Sequence, residues 1–376
     1  METGGLMVIG VPKEIKNKEN RVGMTPEGVK ELVKAGHEVV IETKAGIGSG
    51  FTDDEYKKSG AKIGKTAREV YKKAEMIVKI KEPLEKEFSL IQKGQTIFTY
   101  LHLAAEKKLT KFLLKNNVLG IAYETVEVEG KLPLLEPMSQ VAGRMSVQVG
   151  AHYLEKTYGG RGVLLGGTKK VKPGKVVVIG YGIVGSNAVE MARGLGADVT
   201  VLDVDKKKVE AINKKNYSLF HALISNQANI AKLVKDADLV VGAVLIPGAK
   251  APKLVTKKMI ETMQPGSVVV DVAIDQGGSF ETSKPTSHEK PVFEVNKVIH
   301  YCVTNMPGAV ARTSTLAITS ATLPYIVKLA NKGVREAIKT DKSLQKGVNT
   351  IDGKLTYKAV AEAFGVKYQE LDKLIK

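Results

Sequence analysis

One feature constrains this chain more than any other: a run of β-branched residues that breaks into spaced glycines. Lys175-Val-Val-Val-Ile179 leads straight into Gly180-Tyr-Gly182-Ile-Val-Gly185, and a helical pattern follows. A strand, a G-x-G-x-x-G turn and a helix, in that order, open a nucleotide-binding βαβ unit. Each glycine has its own reason. Gly180 permits the tight turn, Gly182 leaves room for backbone to approach a pyrophosphate, and Gly185 lets the helix lie close to the strand. The free N–H groups and positive dipole end of the helix then face the phosphates. Asp203 closes the next strand, 23 residues after Gly180. A carboxylate there accepts hydrogen bonds from the adenosine ribose hydroxyls and repels a 2′-phosphate, so NAD is expected over NADP. Lys206, Lys207 and Lys208, just beyond it, weaken that preference a little.

Short β-rich runs alternate with helical patterns through almost the whole chain, which predicts parallel sheets covered by helices on both faces. In the first half, strands are expected at 7–11, 38–42, 76–80 and 96–101. A helix over 26–35 has Thr25 as N-cap, Pro26 at its first position and Gly36 as its stop; further helical stretches cover 66–74 and 105–116. In the second unit, strands are expected at 175–179, 198–202, 238–243 and 267–272, with helices at 185–194, 205–213 and 227–235 and a further apolar run at 298–303. Long helical patterns over 138–158 and 313–330 bracket this unit, and the remainder reads as a short, charged, helical tail. The expected fold is α/β: two Rossmann-like, doubly wound parallel-sheet domains, the dinucleotide-binding domain (139–307) inserted in a substrate domain (1–138 and 308–376), with a cleft between the lobes.

Composition removes several function classes. The chain has 376 residues, 43% hydrophobic and 26% charged, as expected for a globular protein of two or three domains. No apolar run approaches the length of a membrane span, and the N-terminus lacks the pattern of a signal peptide. Cys302 is the one cysteine, so neither an intramolecular disulfide nor an all-cysteine metal site can form, which suits a reducing cytoplasm. His37, His152, His221, His288 and His300 show no metal-ligand spacing, and no metal is expected. The net charge of +17 raises the question of nucleic acid, but seven of the 57 basic residues are arginines and the lysines are dispersed. Phosphate and base recognition favours clustered arginine; the expectation is a lysine-coated surface, with neither nucleic acid nor membrane as partner.

Several polar residues stand where strands of the first lobe are expected to end. Arg21 precedes the first helix in Arg21-Val-Gly-Met-Thr-Pro26, Lys81 lies in Lys79-Ile-Lys81-Glu82-Pro83, and His102 in Thr99-Tyr100-Leu101-His102-Leu103. C-terminal strand ends are where open α/β sheets hold ligands. Asp271 and Asp275 follow a strand in the second lobe. Taken singly, each has a plain reading: Arg21 a surface salt bridge, Lys81 a solvated lysine, His102 a hydrogen-bonded structural group, Asp275 a turn or cap residue.

Together they form an order. Val11-Pro12-Lys13-Glu14, Arg21-Val22, Lys81-Glu82-Pro83, Leu101-His102-Leu103-Ala104, Pro137-Met138-Ser139, Ile274-Asp275-Gln276-Gly277-Gly278 and Asn305-Met306-Pro307 resemble the alanine dehydrogenase family over essentially the whole chain. The resemblance implies reversible oxidative deamination of L-alanine to pyruvate and ammonium, with hydride passing between the substrate α-carbon and nicotinamide C4 of NAD. It implies His102 as acid and base and Asp275 as a proton acceptor near the amino group. Arg21 would hold the carboxylate through bidentate bonds, and Lys81 would sit by the carbonyl or carboxylate oxygen. Tyr100, Leu135 and Met138 would line the pocket, with Asn305 and Met306 beside the nicotinamide and substrate. For the cofactor it implies Ser139 at the pyrophosphate, Gly180, Gly182, Ile183, Val184 and Gly185 at the glycine turn, and Asp203, Lys208 and Ser225 around the adenosine. Val244 and Leu245 would wall the adenine, and Ile274, Asp275 and Asn305 would complete the cofactor contacts. A homohexamer built from dimers is implied as well. The rival readings are the NAD-binding subunit of a proton-translocating transhydrogenase, a saccharopine-dehydrogenase-like enzyme, an inactive NAD sensor and a basic nucleic-acid binder. Arg21, Lys81, His102 and Asp275 together argue against the transhydrogenase, which has no amino-acid substrate.

Overall fold

A computed structural model describes residues 5–215, 220–244 and 251–375. Among them the strands are, in chain order, β1 (Val8–Val11), β2 (Glu38–Glu42), β3 (Lys62–Gly64), β4 (Met76–Val78), β5 (Thr96–Thr99), β6 (Leu119–Ala122), β7 (Lys175–Ile179), β8 (Asp198–Asp203), β9 (His221–Ile224), β10 (Leu239–Gly242), β11 (Val268–Asp271), β12 (Val292–Val295), β13 (Val298–Tyr301), β14 (Val348–Ile351) and β15 (Lys354–Leu355). They fall into two units, Met1–Met138 with Val310–Lys376, and Ser139–Ala309.

The first unit holds the sheet β15-β14-β6-β5-β4-β1-β2-β3. Strands β1 to β6 are mutually parallel, in the doubly wound order 3-2-1-4-5-6. The winding reverses at β1, so the crevice beyond the C-terminal ends of β1 and β4 is a topological switch point, the usual ligand position in such sheets. The two segments leaving those ends carry Glu14 and Lys79 to Glu82. Short Val/Ile-rich strands suit burial on both faces. Val40, Ile77, Ile97, Leu101 and Leu113 join one fully buried cluster, each such side chain contributing about 1.5–3 kcal/mol. The helix Pro26–Lys34 starts as expected, with Thr25 Oγ1 accepting the Gly28 N–H at 3.2 Å. The helix Ala311–Lys332 returns to this unit, where Thr315 Oγ1 accepts the Val22 N–H at 3.2 Å.

The second unit holds the sheet β12-β13-β11-β10-β7-β8-β9. All but β12 are parallel, again in the order 3-2-1-4-5-6, with the switch point between β7 and β10. The glycine turn follows β7. Its core gathers Val177, Ile179, Leu202, Val240, Ile260, Val269 and Phe280.

The expected doubly wound parallel sheets are present, with antiparallel strands added at their edges. β12 runs antiparallel to β13, and β14 and β15 continue antiparallel beyond β6. The latter two lie in what the sequence suggested was a helical tail. They are joined by Asp352-Gly353, with φ of 48° and 69°, the backbone of a two-residue hairpin turn. The long helix expected over 138–158 is Glu136–Tyr153, and a short 3-10 turn at Lys156–Tyr158 follows. Among the described residues no helix is long and apolar enough to cross a membrane.

Candidate active site and dinucleotide cradle

In the first unit, the residues singled out from the sequence converge on the switch point. Arg21 is buried and gives its Nε and Nη2 to the two oxygens of Glu19 at 2.7 and 2.6 Å. Its Nη1 lies 3.1 Å from Met138 Sδ. One bidentate edge of the guanidinium is therefore committed within the protein. Burial alone would lower the Arg21 pKa, but Glu19 outweighs it and the guanidinium stays charged.

Lys81 leaves the end of β4 on backbone held by Glu14. Glu14 Oε1 accepts the N–H groups of Ile80 at 2.6 Å and Lys81 at 3.3 Å, and its Oε2 accepts Lys79 Nζ at 3.1 Å. Lys79 is fully buried between Glu14 and Glu87, and Tyr71 donates to Glu87 at 2.9 Å. Burial pushes the Glu14 carboxyl up, although Lys79 opposes the rise. Lys81 itself has no hydrogen bond or salt bridge from its ammonium among the described residues. Burial and then the nearby Arg21 charge pull its pKa below the ordinary value.

His102 follows β5 with φ of 48°, a conformation uncommon for residues other than glycine and one that concentrates at functional positions. Glu124 Oε1 takes its backbone N–H at 2.7 Å. Its ring faces Tyr100 at 5.9 Å between centroids, and Nδ1 lies 3.1 Å from Glu82 Oε2. Glu82 Oε1 also holds Lys16 Nζ at 2.5 Å. Burial would raise the Glu82 carboxyl, but His102 and Lys16 hold it down to about 2. Buried Tyr100 donates its hydroxyl to the Leu134 carbonyl at 2.6 Å, beside half-buried Leu135. Burial raises the Tyr100 pKa, so the phenol stays neutral.

In the second unit the glycine turn has the geometry a dinucleotide requires. Gly180 has φ of 99°, and a Cβ on it would lie 2.9 Å from the Ala243 carbonyl. A Cβ on Gly185 would lie 1.8 Å from the Gly180 carbonyl oxygen, so only glycine permits this strand–helix approach. Gly182 heads the helix Ile183–Gly194, and among the described residues nothing lies within 4 Å of its Cβ position, so the approach to the helix N-terminus is open there. Ile183 is exposed there and Val184 is buried. Asp203 Oδ2 accepts the Tyr181 N–H at 2.9 Å and Lys208 Nζ at 3.0 Å, and Oδ1 accepts the Asp205 N–H at 3.0 Å. Burial would raise this carboxyl, but those donors outweigh it and keep it below the ordinary range. Ser225 donates its N–H to the Asp203 carbonyl at 2.9 Å. A charged carboxylate, a glycine-lined approach and an open helix N-terminus fit a dinucleotide.

The other residues named for this unit sit around the same sheet ends or on its borders. Half-buried Val244 follows β10; Leu245 lies outside the described residues. Ile274 is buried and Asp275 exposed in the 3-10 turn Val272–Gln276. Ser139 lies in the helix Glu136–Tyr153. The Asn305 carbonyl pairs with His288 Nε2 at 2.8 Å, and Met306 is buried in the turn Met306–Val310. Among the described residues no cluster of three His, Cys, Asp or Glu could hold a metal ion.

The sequence reading gave no role to the carboxylates that hold these groups in place: Glu14, Glu19, Glu82 and Glu124. Asp271 is another. Buried at the end of β11, it accepts the N–H groups of Ala273, Ser279 and Phe280 and the hydroxyls of Ser279 and Ser283, which fixes the loop bearing Asp275. A sequence signal existed for two of them: Glu19 and Glu82 stand within two residues of Arg21 and Lys81.

Comparisons with known proteins bear on the family and the fold. The N-terminal domain family "Alanine dehydrogenase/PNT" matches residues 10–142 and its C-terminal counterpart matches residues 146–358. The chain is 57% identical over 371 residues to the alanine dehydrogenase of Methanococcus maripaludis, covering 98% of this chain and all of the relative. It is 54% identical over 370 residues to that of Halomonas elongata, with the same coverage. A solved L-alanine dehydrogenase superposes with a TM-score of 0.93 at 52% identity, over 96% of this chain and 99% of that one. The transhydrogenase of Sinorhizobium meliloti superposes with a TM-score of 0.80 at 27% identity, over 94% and 99%. Matched by both of its domains along nearly its whole length, the chain belongs to the alanine dehydrogenase/PNT family.

Proposed function

We propose that this protein is an NAD-dependent alanine dehydrogenase that interconverts L-alanine with pyruvate and ammonium. The observation that carries the reading is the meeting of Arg21, Lys81 and His102 at the switch point of a chain with full-length alanine dehydrogenase relatives above 50% identity. NAD would be held by the turn Gly180–Gly185 and by Asp203, and supplies the hydride acceptor when bound.

The chain's own residues account for the remaining chemistry. Arg21 neutralises the substrate carboxylate through charge-assisted hydrogen bonds. Lys81, desolvated, places a positive charge beside the oxygen that water adds to the imine, where negative charge develops as the carbinolamine collapses to the carbonyl. His102 takes a proton from that water and returns it as the carbinolamine collapses. Asp275 accepts a proton from the amino group, so that a free amine can lose hydride from its α-carbon. Tyr100 and Met138 close the pocket around a methyl-sized side chain. We further propose a homohexamer in the cytoplasm, with Ser139, Lys208, Ser225, Val244, Leu245, Ile274 and Asn305 as further cofactor contacts and Met306 and Leu135 as pocket walls.

The test is NADH absorbance with L-alanine and NAD at mildly alkaline pH, beside D-alanine, L-serine, L-lysine and NADP. Reduction with L-alanine far faster than with the others supports the reading. NAD binding without reduction by any amino acid turns it toward the transhydrogenase-like or sensor alternatives.

A further inference from the structure

Two carboxylates fix His102 from different directions. Glu124 holds its backbone in the left-handed region, and Glu82 faces its ring. The second contact is the more informative. Glu82 is buried, yet the two groups it touches, Lys16 and His102, are each about two-fifths exposed, at 41% and 42%. The carboxylate thus joins a surface cation to an imidazole that opens onto the site. Its two oxygens are divided: Oε1 to Lys16 Nζ, Oε2 to His102 Nδ1. A carboxylate that stays ionised can only accept, so Nδ1 must carry the proton.

We propose that Glu82, steadied by Lys16, is the positioning residue that sets the tautomer and the aim of His102, leaving Nε2 as the nitrogen that exchanges protons with the substrate. The inference deepens the functional reading above and rests on His102 being its acid and base. The logic is that of a carboxylate behind a catalytic histidine. The carboxylate does not take the proton. It holds Nδ1–H, keeps the Nε2 lone pair available to the reacting water, and stabilises the imidazolium when Nε2 is protonated. The protons balance: water gives one proton to Nε2 as it adds, Nε2 passes that proton to the amine, and Nε2 then takes the carbinolamine hydroxyl proton as the carbonyl forms and ammonia leaves. Lys16 occupies the second oxygen, so the carboxylate cannot swing to present the other face or recruit a proton of its own. Tyr100 stacks on the ring and limits its rotation.

The experiment compares wild type with Glu82→Gln, Lys16→Met and Lys16→Arg in the full-length enzyme. A glutamine in place of Glu82 can offer N–H as well as oxygen, so the ring is free to flip or change tautomer. Turnover is expected to fall roughly 10–100-fold, part of the 10²–10⁴ that acid–base catalysis supplies. KM for pyruvate and the NADH dissociation constant should stay within about threefold, because binding groups are untouched. Lys16→Met, at a largely solvated site, should lower turnover less, and Lys16→Arg should restore it. Nitrogen-15 shifts of the imidazole should show neutral His102 protonated at Nδ1 in wild type and a shift toward Nε2–H in Glu82→Gln. Wild-type turnover in both Glu82→Gln and Lys16→Met overturns the proposal, as does an Nε2-protonated neutral ring in wild type. Should Glu82→Gln fail to fold, the Lys16 variants and the wild-type spectrum still decide. His102→Ala separates the two levels. Near-normal turnover in it removes the acid–base reading itself, whereas a loss there with Glu82→Gln unaffected overturns the positioning role alone.

Discussion

Glu19 and Arg21, two residues apart, form a buried bidentate ion pair that occupies the Nε–Nη2 edge of the guanidinium. Removing one member of such a pair leaves the other charge stranded, at a cost of roughly 3–5 kcal/mol. Glu19→Ala is therefore expected to lower the denaturation midpoint sharply and to raise KM for pyruvate, since Arg21 loses its anchor. Unchanged stability in urea titrations would show that the pair is not a structural element.

The glycine turn separates packing from binding. Gly182→Ala adds a methyl where none of the described residues lies within 4 Å, so stability should hold while NADH affinity falls. Gly185→Ala places a methyl 1.8 Å from a carbonyl oxygen, so both should suffer. Fluorescence titration of NADH beside thermal unfolding distinguishes the two; equal NADH affinity in Gly182→Ala and wild type would remove that glycine from the cofactor site.

Asp203 pairs with the partly exposed Lys208 at 3.0 Å. Asp203→Ser should do two things at once: weaken NAD and release a cation able to meet a 2′-phosphate. The ratio of kcat/KM for NAD over NADP should drop by roughly tenfold or more, the scale of one charge-assisted hydrogen bond at about 1.5–3 kcal/mol. A ratio equal to wild type sinks the assignment.

Glu82 also gives the protein an acid limit. Its carboxyl is held at about 2 against an ordinary 4.5. A folded-state pKa below the unfolded one means stability that is complete above about pH 4.5 and is lost as pH falls toward 2. The contribution is on the order of 3 kcal/mol. Asp341 behaves likewise: burial would raise it, but Lys328 and Ser343 hold it at about 2. Stability measured from pH 5 down to 2 should fall less steeply in Glu82→Gln than in wild type; parallel curves would contradict the shift.

What the sequence revealed depended on whether the constraint was local. The turn Gly180–Gly185, the Thr25 cap and the strand-end positions of Arg21, Lys81 and His102 follow from residues a few places apart. β3, β6, β9 and β12 escaped because a glycine, alanine or polar residue breaks their apolar runs, whereas the equally short β4 and β10 hold unbroken stretches of Met, Ile, Val and Leu. β14 and β15 escaped although Asp352-Gly353 signalled a hairpin, because the surrounding lysines read as a charged helix. The carboxylates behind the site were harder. Nothing local tells Glu14 from the other acidic residues; its importance comes from the switch point, which carries it to Lys79 and Ile80 across 65 and 66 residues of chain.

The broken continuity of the first unit has a consequence for its biogenesis. Its sheet needs β14 and β15, and its helix Ala311–Lys332 ties down Val22 and Ser49, yet every strand of the second unit leaves the ribosome before residue 348 does. The inserted unit can therefore mature during translation, while residues 8–122 wait with an unpaired β6 edge. During that interval the exposed strand is a target for chaperones and for aggregation, and slowing synthesis between 310 and 348 would lengthen the danger rather than aid folding.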